Sequence, residues 1–108
     1  RQLGYDATLE LLDSGRPDAI FCFSDLIAIG ALRALSSRGI RVPEDIAVVG
    51  WDDIQEASFS TPPLSTIAPD KNLLATTALT YLIDRIADPS IPPREFVVPY
   101  RLEVRASS

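Results

Sequence analysis

"AVVGWDDIQEASFSTPPLST", residues 47–66, decides the fold. A short apolar run reaches Gly50, then meets an aromatic side chain and two adjacent carboxylates, Trp51, Asp52 and Asp53, before a double proline at 62–63. A brief apolar run bounded by turn-forming residues suits a strand covered on both faces, and residues 46–49 are read as such a strand, ended by Gly50. In an open parallel sheet, ligands bind beyond the carboxyl ends of the strands, where side chains from successive loops converge. The acidic doublet is therefore a candidate site.

Upstream, Tyr5, Leu9 and Leu12 fall at i, i+4 and i+7 and predict an amphipathic helix, stopped by Gly15 and Arg16-Pro17. "AIFCF" at 19–23 is continuously apolar and predicts another strand covered on both faces. Ser24 and Asp25 offer N-cap oxygens to a helix through "LIAIGALRALSSRG", closed by Gly39. Residues 26–32 are apolar nearly all round, which predicts a second cover besides the sheet, such as a partner subunit.

Downstream, "LSTIA" predicts a short strand and Asp70 the N-cap of a helix reaching about residue 86, stopped by Asp88-Pro89. Leu74, Ala78, Tyr81 and Leu82 share one face of that helix. "SIPPRE" is a connector, and "FVVPYRLEV" predicts one or two closing strands that Pro99 confines to an edge or a bend. Helix and strand alternate, so the fold class is α/β: three layers, α-β-α, with a mainly parallel, doubly wound sheet and right-handed crossovers.

The chain has 108 residues, 46% hydrophobic and 23% charged, which is enough for one globular core. Fifteen acidic against ten basic residues give a formal net charge of −5, so these residues are not expected to grip DNA by themselves. The single Cys22 is read as a buried thiol, compatible with a reducing cytoplasm. No apolar run is long enough for a membrane helix, and the sequence opens at Arg1 with neither a methionine nor a signal-peptide pattern, as an excised piece would.

Two readings of the polar clusters are open at this level. Ser24-Asp25 and Asp52-Asp53 cap helices, or one member of each pair faces a shared cleft; for the second pair a split role is favoured, because neighbouring side chains rarely point the same way. Catalysis has little support. Histidine is absent, and no Gly-x-Ser-x-Gly, Walker or Gly-x-Gly-x-x-Gly pattern occurs. Magnesium-dependent phosphotransfer could use strand-end carboxylates, with Lys71 as the candidate basic partner, but the Asp-x-Asp nucleophile pattern is missing. Binding outranks catalysis, with no metal and no cofactor expected.

The run "FSDLIAIGALRALSSRGIRVPEDIAVVGWDDIQEASFSTPPLSTI", extended by "GYDATLELL" and "VVPYRLEVRAS", resembles the effector-binding core of lactose-repressor and galactose-repressor (LacI/GalR) type transcription factors. The resemblance implies an incomplete core of the type I periplasmic-binding-protein-like fold, with residues 1–68 and 95–108 in the C-terminal subdomain. Residues 69–94 are the helix and connector that pack in the N-terminal subdomain of relatives. It also implies a cytoplasmic homodimer sensing a small effector, a sugar or a nucleobase, and touching operator DNA only through a headpiece outside these residues. An exported solute-binding protein is the alternative with the same fold.

Residue by residue, the resemblance assigns effector contacts to Asp52, Ser24, Lys71 and Trp51. Ser24 stands where relatives often carry Asn, and Trp51 has core packing as its other reading. Helix caps remain for Asp25, Asp53 and Asp70. Ile29, Ala57, Phe59 and Thr61 become the expected dimer interface, with intramolecular packing as the alternative. If these residues stand alone, the helix at 70–86 loses its usual bed. Burial of Leu74, Tyr81 and Leu82 is worth about 1.5–3 kcal/mol apiece, so cover from the sheet or from a second chain is expected.

Overall fold

The computed structural model describes all residues, Arg1–Ser108. In chain order the elements are α1 (Gln2–Ser14), β1 (Ala19–Phe21), α2 (Asp25–Ser37), β2 (Ala47–Trp51), α3 (Gln55–Phe59), β3 (Ser65–Pro69), α4 (Lys71–Ala87) and β4 (Tyr100–Glu103). The four strands form one sheet in the order β1-β2-β3-β4, with β1 parallel to β2 and β2 parallel to β3. This is the α/β class with a mainly parallel sheet.

The chain divides into two compact units, Arg1–Ala68 with Leu102–Ser108, and Pro69–Arg101. In the first unit, Ala28, Ala31, Leu32 and Leu35 of α2 meet Cys22, Ile46, Val48, Ala57 and Leu64 in a buried cluster. Alternation along a strand sends Val48 and Gly50 inward and leaves Val49 and Trp51 on the opposite face.

β1 departs from the sequence expectation. It ends at Phe21, lies at the sheet edge, and exposes Phe21 by half and the following Phe23 almost wholly. Ile20 and Cys22 turn toward the core while their neighbours do not, so one face of this strand is covered by these residues and the other is open. β2 runs two residues beyond the expected Val49, through Gly50 to Trp51.

The second cover of α2 comes from within the chain. Gly4 of α1 and Gly30 of α2 sit where the two helices cross: a methyl group on Gly4 would run into the Ile27 carbonyl, and one on Gly30 into the Arg1 carbonyl and Tyr5 amide. Two missing side chains let the backbones touch, so α1 is the surface that the apolar first half of α2 required.

The last residues tie the sheet together where β2 and β3 diverge. The buried Ser107 hydroxyl donates to the Val48 carbonyl (2.6 Å) and accepts from the Ser65 amide (2.8 Å), while its own carbonyl accepts from the Val48 amide (2.7 Å). A single residue thus completes hydrogen bonding that strand pairing leaves open upstream of the Val49–Ser65 register.

The second unit is organised differently. Asp70 caps α4, its carboxylate accepting from the Leu73 amide at 2.9 Å, and its own amide donates to the Pro99 carbonyl. Arg94 pairs with Asp84 at 2.7 Å and lies 3.9 Å over the Tyr81 ring. Phe96 and Val98 line a groove with Leu74, Ala78 and Tyr81. These contacts lie within the second compact unit, Pro69–Arg101. No residue of α4 is buried, and Leu79, Leu82, Ile83 and Ile86 are each more than half exposed.

Candidate functional site

The turn that leaves β2 carries the non-glycine residues at positive φ. Asp52 and Asp53 have φ of 108° and 48°, two consecutive non-glycine residues outside the ordinary region. Aspartate tolerates left-handed backbone better than most residues, yet each such position costs about 1–3 kcal/mol and persists only where surroundings hold it.

Three successive amides supply that hold. The Asp52 amide donates to the Ile67 carbonyl at 3.0 Å, the Asp53 amide to the Thr66 hydroxyl at 3.3 Å, and the Ile54 amide to Asp25 Oδ2 at 2.9 Å. The Thr66 hydroxyl in turn donates to Asp25 Oδ1 at 2.6 Å.

Asp25 is fully buried and does not cap its own helix; that place belongs to Ser24, whose hydroxyl accepts from the Ile27 amide at 3.3 Å. Its carboxylate instead joins α2, β3 and the entry to α3. Gly50 makes room for it, since a methyl group there would overlap Asp25 Oδ1. Cys22 lies close by, and burial followed by the Asp25 charge pushes its thiol up to about 11, which keeps it protonated and unreactive.

Asp53 is likewise no cap. Ile54 precedes α3 with no side-chain bond, while the Asp53 carboxylate meets Arg105 at 2.6 Å. The second arm of Arg105 donates to the Leu64 carbonyl at 2.8 Å. Asp25 and Asp53 are thus committed to protein partners, a different arrangement from carboxylates gathered around a cation.

The remaining candidates fall into separate places. Asp52 and Ser24 are half-buried at the carboxyl ends of β2 and β1. Trp51 is 37% exposed and meets Phe21 edge-on at 6.5 Å, and Phe21 meets Phe23 at 5.6 Å. This aromatic rim was missed in the sequence because "AIFCF" was read as one buried run; the i, i+2 spacing of its two phenylalanines was the available signal. Lys71 opens α4 and belongs to the second unit.

Among the expected interface residues, Ala57 is fully buried in the core and offers no surface. Ile29 is common to three surface depressions: one of 510 Å³ with Arg1, Tyr5 and Arg33, another beside Phe59 and Ser60, and a third beside Thr61. Phe59 is 78% exposed. Ile29, Phe59 and Thr61 therefore share a neighbourhood that Ala57 supports from beneath.

Residues 1–108 match the family of periplasmic binding protein-like domains. The HTH-type transcriptional repressor PurR of Escherichia fergusonii is 42% identical over 105 residues, covering 96% of this chain and 31% of that protein. Among solved structures, the transcriptional regulator CelR in complex with cellobiose superposes with a TM-score of 0.88 at 40% identity, over 97% of this chain and 32% of that one. The lac repressor dimer bound to operator and the anti-inducer ONPF gives 0.86 at 33% identity, over 99% and 37%. The chain thus spans about a third of the length of the relatives it matches, and those relatives are transcriptional repressors or regulators. With its parallel sheet, its acidic turn after β2 and this match along the whole length, the chain belongs to the periplasmic binding protein-like domain family, alongside transcriptional regulators of the LacI type.

Proposed function

We propose that these residues form part of the sugar-sensing and dimerising core of a cytoplasmic LacI-type transcriptional regulator, and that they carry out no catalysis. The observation that carries the reading is the turn at Asp52: a carboxylate at the end of a central parallel strand, on backbone held at positive φ by three ordered amides. Such a carboxylate suits hydroxyl recognition, because a charge-assisted hydrogen bond contributes about 1.5–3 kcal/mol and fixes direction. CelR, similar along nearly the whole of this chain, holds cellobiose.

Ser24 and Trp51 flank Asp52 in this reading. A half-buried Ser24 hydroxyl that already accepts one amide still has a proton to donate. The surface around Ile29, Phe59 and Thr61 is the proposed dimer contact, and operator binding belongs to a headpiece on the parent protein. The net charge of −5 fits that division of labour. No helix of the chain is long and apolar enough to cross a membrane.

Calorimetry of the full-length parent with cellobiose and a panel of related sugars tests the reading. One sugar should bind, and Asp52→Ala should weaken it by about 10- to 100-fold, the equivalent of one charge-assisted hydrogen bond. Undiminished binding by the variant would remove Asp52 from the site.

A further inference from the structure

We infer that Arg105 is a positioning residue for Asp52, acting through Asp53 from 52 residues further along the chain. The inference rests on the proposal that Asp52 contacts the effector, and it concerns how that carboxylate is presented. Of the two residues at positive φ, Asp53 has its carboxylate in a fork: one Arg105 nitrogen lies 2.6 Å from it, while the other donates to the Leu64 carbonyl at the entry to β3. A guanidinium satisfies two acceptors in one plane, so it fixes the distance and the orientation of Asp53 relative to β3.

Arg105 is itself anchored. Its amide donates to the Ser65 hydroxyl at 2.8 Å, and two residues later Ser107 is inserted between β2 and β3. The arginine therefore stands on the same strands whose ends carry the site. Both partners of the ion pair are about one-fifth exposed, so solvent is largely excluded from it.

Asp52 and Asp53 share a peptide bond, so relaxation of their backbone to negative φ strains the amide bonds at 52–54 and also swings the Asp53 side chain. With Arg105 in place the swing breaks the fork. Without it the Asp53 carboxylate loses this tether to the entry of β3, the turn shifts, and the Asp52 carboxylate leaves its presented direction. The amides at 52–54 hold the turn from within, and Arg105 selects which way it faces.

The test is made on the full-length parent carrying Arg105→Ala, with crystal structures and spectra of protein labelled with ¹⁵N-aspartate. Asp52 should leave the positive-φ region and its amide resonance should move. Arg105→Lys, which keeps charge but not the fork, should restore the geometry only in part. A core variant of lowered stability, Ile46→Val, should leave the Asp52 amide in place, which separates positioning from general loosening. If Arg105→Ala does not fold, Asp53→Asn decides the matter, because it weakens the same link without removing the tether to Leu64. Asp52 and Asp53 unmoved in these variants would overturn the inference. None of these readouts needs sugar, so they stand apart from the calorimetric test of Asp52 as a ligand group.

Discussion

α2 and α4 begin alike and end up in opposite circumstances. Each is capped by a side-chain oxygen, Ser24 for α2 and Asp70 for α4, and each carries enough leucine, isoleucine and alanine for a broad apolar face. Yet α2 buries seven residues and α4 buries none. The difference teaches that capping and periodicity decide where a helix forms, whereas tertiary contact decides what it contributes to stability.

The largest expected effect breaks that comparison open. Leu35 is fully buried among α2, β2 and Leu64, so Leu35→Ala should destabilise the 108-residue chain by about 2–5 kcal/mol. Leu79→Ala on the exposed face of α4 should change it by no more than about 0.5 kcal/mol. Urea denaturation of the two variants checks both values. Comparable losses would mean that α4 acquires cover in solution from a second copy.

Next comes the helix crossing. Alanine is ordinarily better than glycine inside a helix by about 1 kcal/mol, so propensity alone makes Gly30→Ala stabilising. The added methyl group meets the backbone of α1 at Arg1 and Tyr5, neither of which can rotate away as a side chain would. Overpacking of this kind costs about 1–3 kcal/mol, so net destabilisation is expected, measurable in the same urea titration. Gly15→Ala is the contrast, since nothing lies within contact of a methyl group there.

That crossing also marks where sequence reading stops. Elements set by local chemistry were legible: α4 and its Asp70 cap, the short helix after Asp53, and the first three strands, which begin within a residue of their places, whereas the closing strand keeps only Tyr100–Glu103 of the run at 96–104. The apolar excess on α2 was visible too, but α1 as its cover was not, because a glycine announces neither its neighbour nor the reason for its missing side chain. Asp25 and Asp53 look like caps in sequence, since both precede apolar helical residues. Their actual partners, Thr66 and Arg105, are 41 and 52 residues away, beyond the reach of local pattern. Ser107, the residue between β2 and β3, sits in "VRASS", a stretch with no periodicity at all.

The smallest expected effect concerns a charge that sequence proximity does reveal. Arg41 and Asp45, four residues apart around the Pro43 turn, form a two-pronged ion pair at 2.9 and 2.8 Å, and the Arg41 amide donates to the same carboxylate. The Arg41 side chain, then its amide, hold Asp45 well below the ordinary carboxylate range, with Arg16 adding to the effect. A carboxylate depressed on folding contributes stability that is complete above its unfolded value, near 3.8, and is lost as pH falls through the lower folded value. The pair therefore gives its full contribution at neutral pH and fails only in strong acid. Because it lies at the surface, salt weakens it as well. Asp45→Asn should lower the neutral plateau slightly, by the contribution of the pair, and leave stability in strong acid where it was, which flattens the acid limb of a stability-against-pH curve. An unchanged plateau and an unchanged acid limb would mean that the Arg41–Asp45 pair contributes nothing measurable to folding.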